Sequence, residues 1–361
     1  MNIDTLKKTA KQMVASGRGI IAADESASTC KKRFDAVGVE CTEENRRAYR
    51  ETILTAQGLE QYVSGVILYD ETIRQKSSAG ERFPDVLVKK GILPGIKVDM
   101  GAKDLALHPG EKVTEGLDGL RERLAEYKTF GAMFAKWRAV ITIGKGLPTD
   151  ACIHANAHAM ARYAALCQEA DIVPIVEPEV LIDGDHTIEA CYEATGKTLK
   201  KTFEELAGQD VVLEGVILKA SMVIAGKSAQ GRSASGGQST PVEVAQMTIK
   251  VLKEAVPKEL AGVVFLSGGQ GDEQATANLN EMNRSTSFDK AQDKSLTAGK
   301  APWPLSFSYA RAIQNPVLKI WATDTKANVG KAQETLLFRS KMNSLATMGT
   351  YQDSLEKERP Y

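Results

Sequence analysis

Leu213-Glu214-Gly215-Val216-Ile217-Leu218-Lys219 is the stretch from which the fold of this 361-residue chain can be read. Val216, Ile217 and Leu218 make an apolar run of strand length, and the run ends in a lysine. Side chains alternate along a strand, which puts Gly215, Ile217 and Lys219 on one face. An ammonium at the end of a buried strand is poorly hydrated, which disfavours the charged form and exposes a nucleophilic amine. A lone strand-end lysine more often snorkels into solvent, so the meaning of Lys219 depends on the rest of the chain.

Seven further apolar runs of the same kind occur, at residues 19–23, 63–69, 92–98, 135–141, 172–177, 262–267 and 303–308. Helical periodicity fills most of the gaps, over 43–60, 119–130, 150–169, 195–207, 242–255 and 272–281. Thr42 before Glu43-Glu44 and Thr240 before Pro241 read as helix starts, the second with proline at the first helical position. Strands alternating with helices imply parallel pairing through right-handed crossovers. Eight such units without a linker predict a closed (β/α)8 TIM barrel, one domain spanning residues 1–361, and not a doubly wound sheet. An extra N-terminal helix is expected, with a C-terminal helix from about Ala332 and a flexible polar tail ending at Tyr361.

Composition narrows the class without deciding it. The chain is 43% hydrophobic and 25% charged, with 46 basic and 46 acidic residues. Such a balance gives no general attraction to nucleic acid or to membranes. Five cysteines without a C-x-x-C pair point to free thiols in a reducing compartment. The first eight residues lack the apolar run of a signal peptide, so the cytoplasm is the expected location, with a processed plastid form left open.

In a barrel of this type the active site sits at the mouth, where the strands end. The charged residues in or just after the apolar runs are Asp24, Lys97, Lys136, Glu177, Glu179 and Lys219. Groups buried there must be paired or functional, because an unpaired buried charge is costly. Glu177-Pro178-Glu179 sets two carboxylates on one face, and neighbouring carboxylates can divide acid and base roles. Each residue alone has a structural explanation, such as Lys136 pairing with Glu177 as barrel filling. Three lysines and three carboxylates together at mouth positions argue for catalysis. Ser267-Gly268-Gly269-Gln270-Gly271 follows the seventh run, where backbone N–H groups can cradle a phosphate. Arg311, just past Ser308, offers a forked donor to the same group.

Two other motifs carry less. Gly226-Lys227-Ser228-Ala229-Gln230-Gly231-Arg232-Ser233 approaches a P-loop but has arginine in place of its lysine and no helix behind it, so a flexible surface loop is expected. His154 and His158 have the spacing of a helical zinc pair without the accompanying glutamate, and a structural role is expected for them; no metal is called for.

These residues together resemble class I fructose-1,6-bisphosphate aldolase, the Schiff-base kind. The resemblance runs over essentially the whole chain, through Ala22-Ala23-Asp24-Glu25-Ser26, Thr42-Glu43-Glu44-Asn45-Arg46-Arg47, Gly95-Ile96-Lys97-Val98-Asp99, Phe134-Ala135-Lys136-Trp137-Arg138, Pro174-Ile175-Val176-Glu177-Pro178-Glu179, Leu218-Lys219, Leu266-Ser267-Gly268-Gly269-Gln270 and Ser308-Tyr309-Ala310-Arg311. It implies that Lys219 attacks the C2 ketone of fructose 1,6-bisphosphate, that Glu177, supported by Glu179, handles the protons of imine formation, and that Asp24 takes the C4 hydroxyl proton. Lys136 would hold positive charge beside the imine. Ser267, Gly268, Gly269, Ser308 and Arg311 would bind the ketose-end phosphate, and Lys97, Arg33 and Ser26 would lie near the other. The terminal Tyr361 would assist enamine protonation. The resemblance implies no cofactor, phosphorylated sugars as substrates and a homotetramer.

The chain also departs from the family. Ala310 stands where glycine is frequent, Ala220 follows Lys219 where proline is common, and Ala27-Ser28-Thr29 replaces the usual Thr-Gly-Ser. The charged lead-in Glu356-Lys357-Glu358-Arg359-Pro360 differs from the usual apolar tail. Within enzymes, a preference for sedoheptulose 1,7-bisphosphate or fructose 1-phosphate, or a metal-dependent aldolase, stays open. Outside enzymes, the alternative is a phosphosugar-binding scaffold.

Overall fold

The eight apolar runs pair, each parallel to the next, into one closed barrel in the computed structural model, which describes residues 1–229, 239–285 and 301–361. The barrel strands are β1 (Gly19–Ala23), β2 (Val63–Leu68), β3 (Leu93–Lys97), β6 (Phe134–Ile141), β7 (Val173–Val180), β8 (Ile217–Ala220), β9 (Gly262–Phe265) and β10 (Leu305–Tyr309). A short antiparallel hairpin, β4 (Ala102–Asp104) and β5 (Lys112–Thr114), stands outside it. Around the ring the strands follow sequence order, and β1 closes on β10.

Helices lie between and beyond the strands. They are α1 (Ile3–Met13), α2 (Ala27–Asp35), α3 (Glu43–Leu54), α4 (Asp70–Arg74), α5 (Phe83–Lys89), α6 (Leu120–Thr129), α7 (Asp150–Glu169), α8 (Ile188–Gly208), α9 (Pro241–Ala255), α10 (Asp272–Ser285), α11 (Arg311–Thr323) and α12 (Val329–Thr347). Several are opened by side chains that satisfy an orphan backbone donor: Thr42, Thr149 and Thr187 cap α3, α7 and α8, and Thr240 with Glu243 forms a capping box on α9.

Strand alternation divides each barrel strand between two cores. Ile21, Ala23, Trp137, Leu218, Phe265 and Phe307 face outward into the layer beneath the helices. Ile20, Ala22, Ile67, Leu93, Phe134, Val173, Ile175, Ile217 and Val264 form a second cluster together with Leu6, Ala10, Met13 and Val14 from α1 and its end. The N-terminal helix therefore stops the base of the barrel. Phe134 fills the lumen, and a methyl group on Gly95 would overlap its ring. At 25 cal/mol per Å², burying each of these large side chains contributes about 2 kcal/mol.

Inward positions change character toward the C-terminal ends of the strands. Ile20 and Ala22 lead to Asp24, Leu93 and Gly95 to Lys97, Phe134 to Lys136 and Arg138, Ile175 to Glu177 and Glu179, and Ile217 to Lys219. An apolar floor thus carries a charged ceiling.

Three expectations need adjustment. Residues 213–215 form a 3-10 turn, so Gly215 does not share a strand face with Ile217 and Lys219. Leu6 packs so close to Gly215 that a Cβ there would lie 3.1 Å from it, and the turn makes room for α1. The 43–60 helix stops at Leu54, and Gly58, left-handed at φ 84°, instead opens a short 3-10 turn over Leu59–Gln61. The polar end of the chain, expected as a flexible tail, is tied down. Glu356 accepts two hydrogen bonds of 2.7 Å from the fully buried Arg339, one of 2.9 Å from Tyr351 and one of 2.7 Å from Arg359. A buried guanidinium needs its carboxylate, and the tail supplies it.

His154, exposed, and His158, half-buried, stand on α7 and pair with the two oxygens of Glu205 on α8, at 3.2 and 3.1 Å, as a tie between helices. Of the P-loop-like segment, residues 230–233 lie outside the described residues. Among the described residues, no helix is long and apolar enough to cross a membrane.

Candidate active site

The charged ends of β1, β6, β7 and β8 meet at the mouth of the barrel in one chain of ion pairs. Lys219 Nζ lies 3.0 Å from Glu177 Oε1, Glu177 Oε2 lies 3.3 Å from Lys136 Nζ, and Lys136 Nζ lies 2.6 Å from Asp24 Oδ2. All four are buried. They line a cavity of about 400 Å³ shared with Ser26, Arg33, Lys97, Glu179, Ser267, Gly268, Ser308 and Arg311. A pocket of this volume suits a small polar metabolite.

Charge alternates along the chain, and each group stabilises its neighbours. Burial pushes the Asp24 carboxyl up, but Lys136, Lys219 and Lys97 outweigh burial and hold it at about 2. For Glu177 burial again acts upward, and Lys136, Lys219 and Arg138 carry the carboxyl below its ordinary value. Burial acts downward on Lys136, yet Asp24, Glu177 and Asp99 raise it well above an ordinary lysine, so Lys136 is a fixed cation. Glu177 thus sits between two lysines, with one oxygen on Lys219. Its other oxygen faces Lys136 without a hydrogen bond. Glu179 is held by Arg138, which comes from the adjacent strand and also lines the cavity.

The two flanks of the cavity differ. On the β9–β10 side, Gly268 (φ 55°) and Gly269 (φ 90°) adopt left-handed conformations that non-glycine residues rarely take. Ser267 and Ser308 are buried beside them, and the Ser308 hydroxyl has no protein partner. A buried unpaired hydroxyl lining a cavity with Arg311 is an orphan donor suited to an anion. Gly269 itself does not line the cavity; it stands one residue behind. On the β1–β3 side, Ser26 caps α2 and lies within 3.1 Å of Ser28 and Thr29 hydroxyls. Lys97 pairs with Asp99 at 3.5 Å, whereas Arg33 is bound to Glu25 and, at 3.2 Å, to Gln314.

Besides Gly269, Tyr361 is an expected site residue that does not line the main cavity. Its hydroxyl lies 3.3 Å from Asp272, and its ring lines a neighbouring pocket with Gln270, Gly271, Arg311 and Arg359. Arg311 borders both spaces. Sequence reading passed over Arg138, Lys32 and Thr29, which also line the main cavity. Arg138 was legible, because it shares strand parity with Lys136. Lys32 and Thr29 depend on how α2 turns over the rim, which no local pattern states.

Comparison with known proteins places these features in a family context. The family model described as "Glycolytic: Fructose-bisphosphate aldolase class-I" matches residues 5–360. A probable fructose-bisphosphate aldolase class 1 of Xanthomonas campestris is 57% identical over 351 residues, 97% of this chain and 99% of that protein. The cytosolic fructose-bisphosphate aldolase 4 of Arabidopsis thaliana is 48% identical over 335 residues, covering 93% and 80% of the two chains. The solved fructose-bisphosphate aldolase of Plasmodium falciparum, crystallised with TRAP and a small-molecule inhibitor, superposes with a TM-score of 0.90 at 46% identity over 97% of this chain and 95% of that one.

Proposed function

The chain belongs to the class-I fructose-bisphosphate aldolase family, whose reaction is reversible aldol cleavage of fructose 1,6-bisphosphate through a lysine Schiff base, and we propose that Lys219 is that lysine. The observation that carries this assignment is the buried chain Lys219–Glu177–Lys136–Asp24 at the barrel mouth.

Glu177 Oε1, 3.0 Å from Lys219 Nζ, accepts the proton that Lys219 must lose to attack the C2 carbonyl. The resulting carbinolamine loses water when the same carboxyl returns a proton to the C2 oxygen, which leaves an iminium. Glu179 and Arg138 keep Glu177 company and fix the wall of β7. Asp24, ionised at neutral pH, takes the proton of the C4 hydroxyl. The C3–C4 electron pair then moves toward the iminium, giving an enamine and releasing glyceraldehyde 3-phosphate. Protonation at C3 and hydrolysis free dihydroxyacetone phosphate. Lys136 holds a permanent positive charge between the two carboxylates, where charge shifts during each proton transfer.

Ser267, Gly268, Ser308 and Arg311 receive the ketose-end phosphate, with Gly269 shaping the turn behind them. Ser26, Arg33 and Lys97 face the aldehyde-end phosphate. Arg33 meets its share only in competition with Glu25. For Tyr361 to assist enamine protonation, the tail must leave Asp272 and cross Arg311. Burial, opposed by Arg339, pushes its phenol up to about 12, so it remains a proton donor across the physiological range.

The same reading takes residues 1–361 as one domain, the cytoplasm as location, supported by the cytosolic relative, and a homotetramer as the assembly, checked by sedimentation. Borohydride trapping with dihydroxyacetone phosphate in EDTA, followed by peptide mapping, tests the mechanism. An adduct on Lys219 is expected. Activity lost to EDTA without any lysine adduct would overturn it.

A further inference from the structure

Lys227 gains a role from the structure that its sequence context, a near P-loop, does not give it. The segment after β8 is pinned by three backbone bonds to the segment after β7: Gly226 N to His186 O at 2.9 Å, Lys227 N to Ile182 O at 2.8 Å, and Ser228 N to Gly184 O at 2.9 Å. Gly226 is fixed by this contact, since a Cβ there would overlap the Gly184 carbonyl. Held in this way, Lys227 extends toward the β9 loop. Its Nζ lies 3.2 Å from Asp183 and 2.9 Å from the place where a Cβ on Gly269 would sit. A guanidinium nitrogen of Arg311 lies 3.3 Å from that same place. Two cations therefore converge on the glycine behind the phosphate cradle, close enough for one phosphate to accept from both.

We propose that Lys227 is a second cation for the ketose-end phosphate, trading Asp183 for the phosphate when the substrate arrives. This rests on the placement of that phosphate in the cavity described above. The chemistry favours the exchange. Asp183 is 69% exposed and Lys227 41%, and an ion pair this wet is weak. A phosphate dianion already bound by Arg311 and the loop N–H groups is the stronger partner. Asp183 then serves as a holding counter-ion that keeps Lys227 aimed at the loop. The absence of a side chain on Gly269 leaves both cations room, a demand separate from its positive φ.

The test compares Lys227→Met and Asp183→Asn in the full chain. The readouts are KM and kcat for fructose 1,6-bisphosphate, and the dihydroxyacetone phosphate concentration that half-saturates borohydride trapping of Lys219. Dihydroxyacetone phosphate carries only the ketose-end phosphate, so it reports on that site alone. Lys227→Met should raise both values about tenfold with kcat kept, as expected for a lost charge-assisted hydrogen bond. Asp183→Asn should leave both unchanged or lower them. Unchanged values in Lys227→Met, a rise for fructose 1,6-bisphosphate alone, or equal rises in the two variants would each overturn the proposal. Trapping of Lys219 in the parent protein separates the two claims, since it can succeed while Lys227 proves silent.

Discussion

Replacing Lys136 with methionine strikes the charge chain at its centre. Lys136 is 3% exposed, and its Nζ contacts Asp24 at 2.6 Å and Glu177 at 3.3 Å. Methionine keeps most of the volume and removes the charge, which leaves two buried carboxylates with Lys219 as their nearest shared cation. Removing one partner of a buried pair costs about 3–5 kcal/mol. Asp24 gives a second measure. Its carboxyl is held at about 2 against an ordinary 3.8. A depression of that size is worth about 2.5 kcal/mol of stability at neutral pH. Because the folded value is the lower one, this stability is fully present above the ordinary value and is lost as pH falls toward 2. Lys136 is the largest of the cations opposing burial, so the variant should lose most of it and unfold at a higher pH in acid. Urea midpoints from pH 3 to 8 read this out, alongside the rate of triose phosphate release. We expect about 3 kcal/mol less stability at pH 7 and cleavage slowed at least about a hundredfold. The double variant Asp24→Asn/Lys136→Met should recover part of the stability, since it removes an orphaned charge. A Lys136→Met protein within about 0.5 kcal/mol of the parent, with the same acid limb, would refute the reasoning.

Three other outcomes rest on contacts described above. Ser308→Ala should leave stability level or slightly improved, because its buried hydroxyl has no protein partner, while KM for fructose 1,6-bisphosphate rises several-fold; a clear loss in thermal midpoint would contradict that reading. Glu356→Gln should leave Arg339 buried beside a neutral amide and release the tail, seen as faster amide exchange over residues 351–361; protection equal to the parent would show that the tail is held otherwise. Gly95→Ala should drive a methyl into the Phe134 ring and cost roughly 1–3 kcal/mol by overpacking, and the paired change Gly95→Ala/Phe134→Leu should restore part of it; a neutral single variant would mean that Phe134 moves freely.

Much of the fold was legible because parallel barrel strands bury both faces and so appear as apolar runs of strand length. The charged groups stood out for the same reason, since Asp24, Lys136, Glu177 and Lys219 interrupt such runs. What local pattern could not state was tertiary. Gly215 turned out of the strand because of Leu6, more than 200 residues away in sequence. The tail looked free because its residues are polar, yet its Glu356 answers an arginine buried on α12. Arg33 lines the cavity and is paired with Glu25, which stands just ahead of α2, a contact that no local pattern states. Lys227 needed Gly269 and Arg311 beside it before its position meant anything.

The stopper made by α1 gives the reaction a direction of travel. Leu6, Ala10, Met13 and Val14 close the apolar end of the lumen, so the barrel is a cul-de-sac as far as the described residues go. Everything enters and leaves past the same rim. In the proposed mechanism cleavage leaves the ketose half tethered to Lys219 by its covalent bond, while the aldehyde half is free. The aldehyde therefore departs first, and the water that frees the tethered half must come in past the same rim. The order of product release is thus set by the covalent tether in a space with one opening, before any difference in affinity is considered.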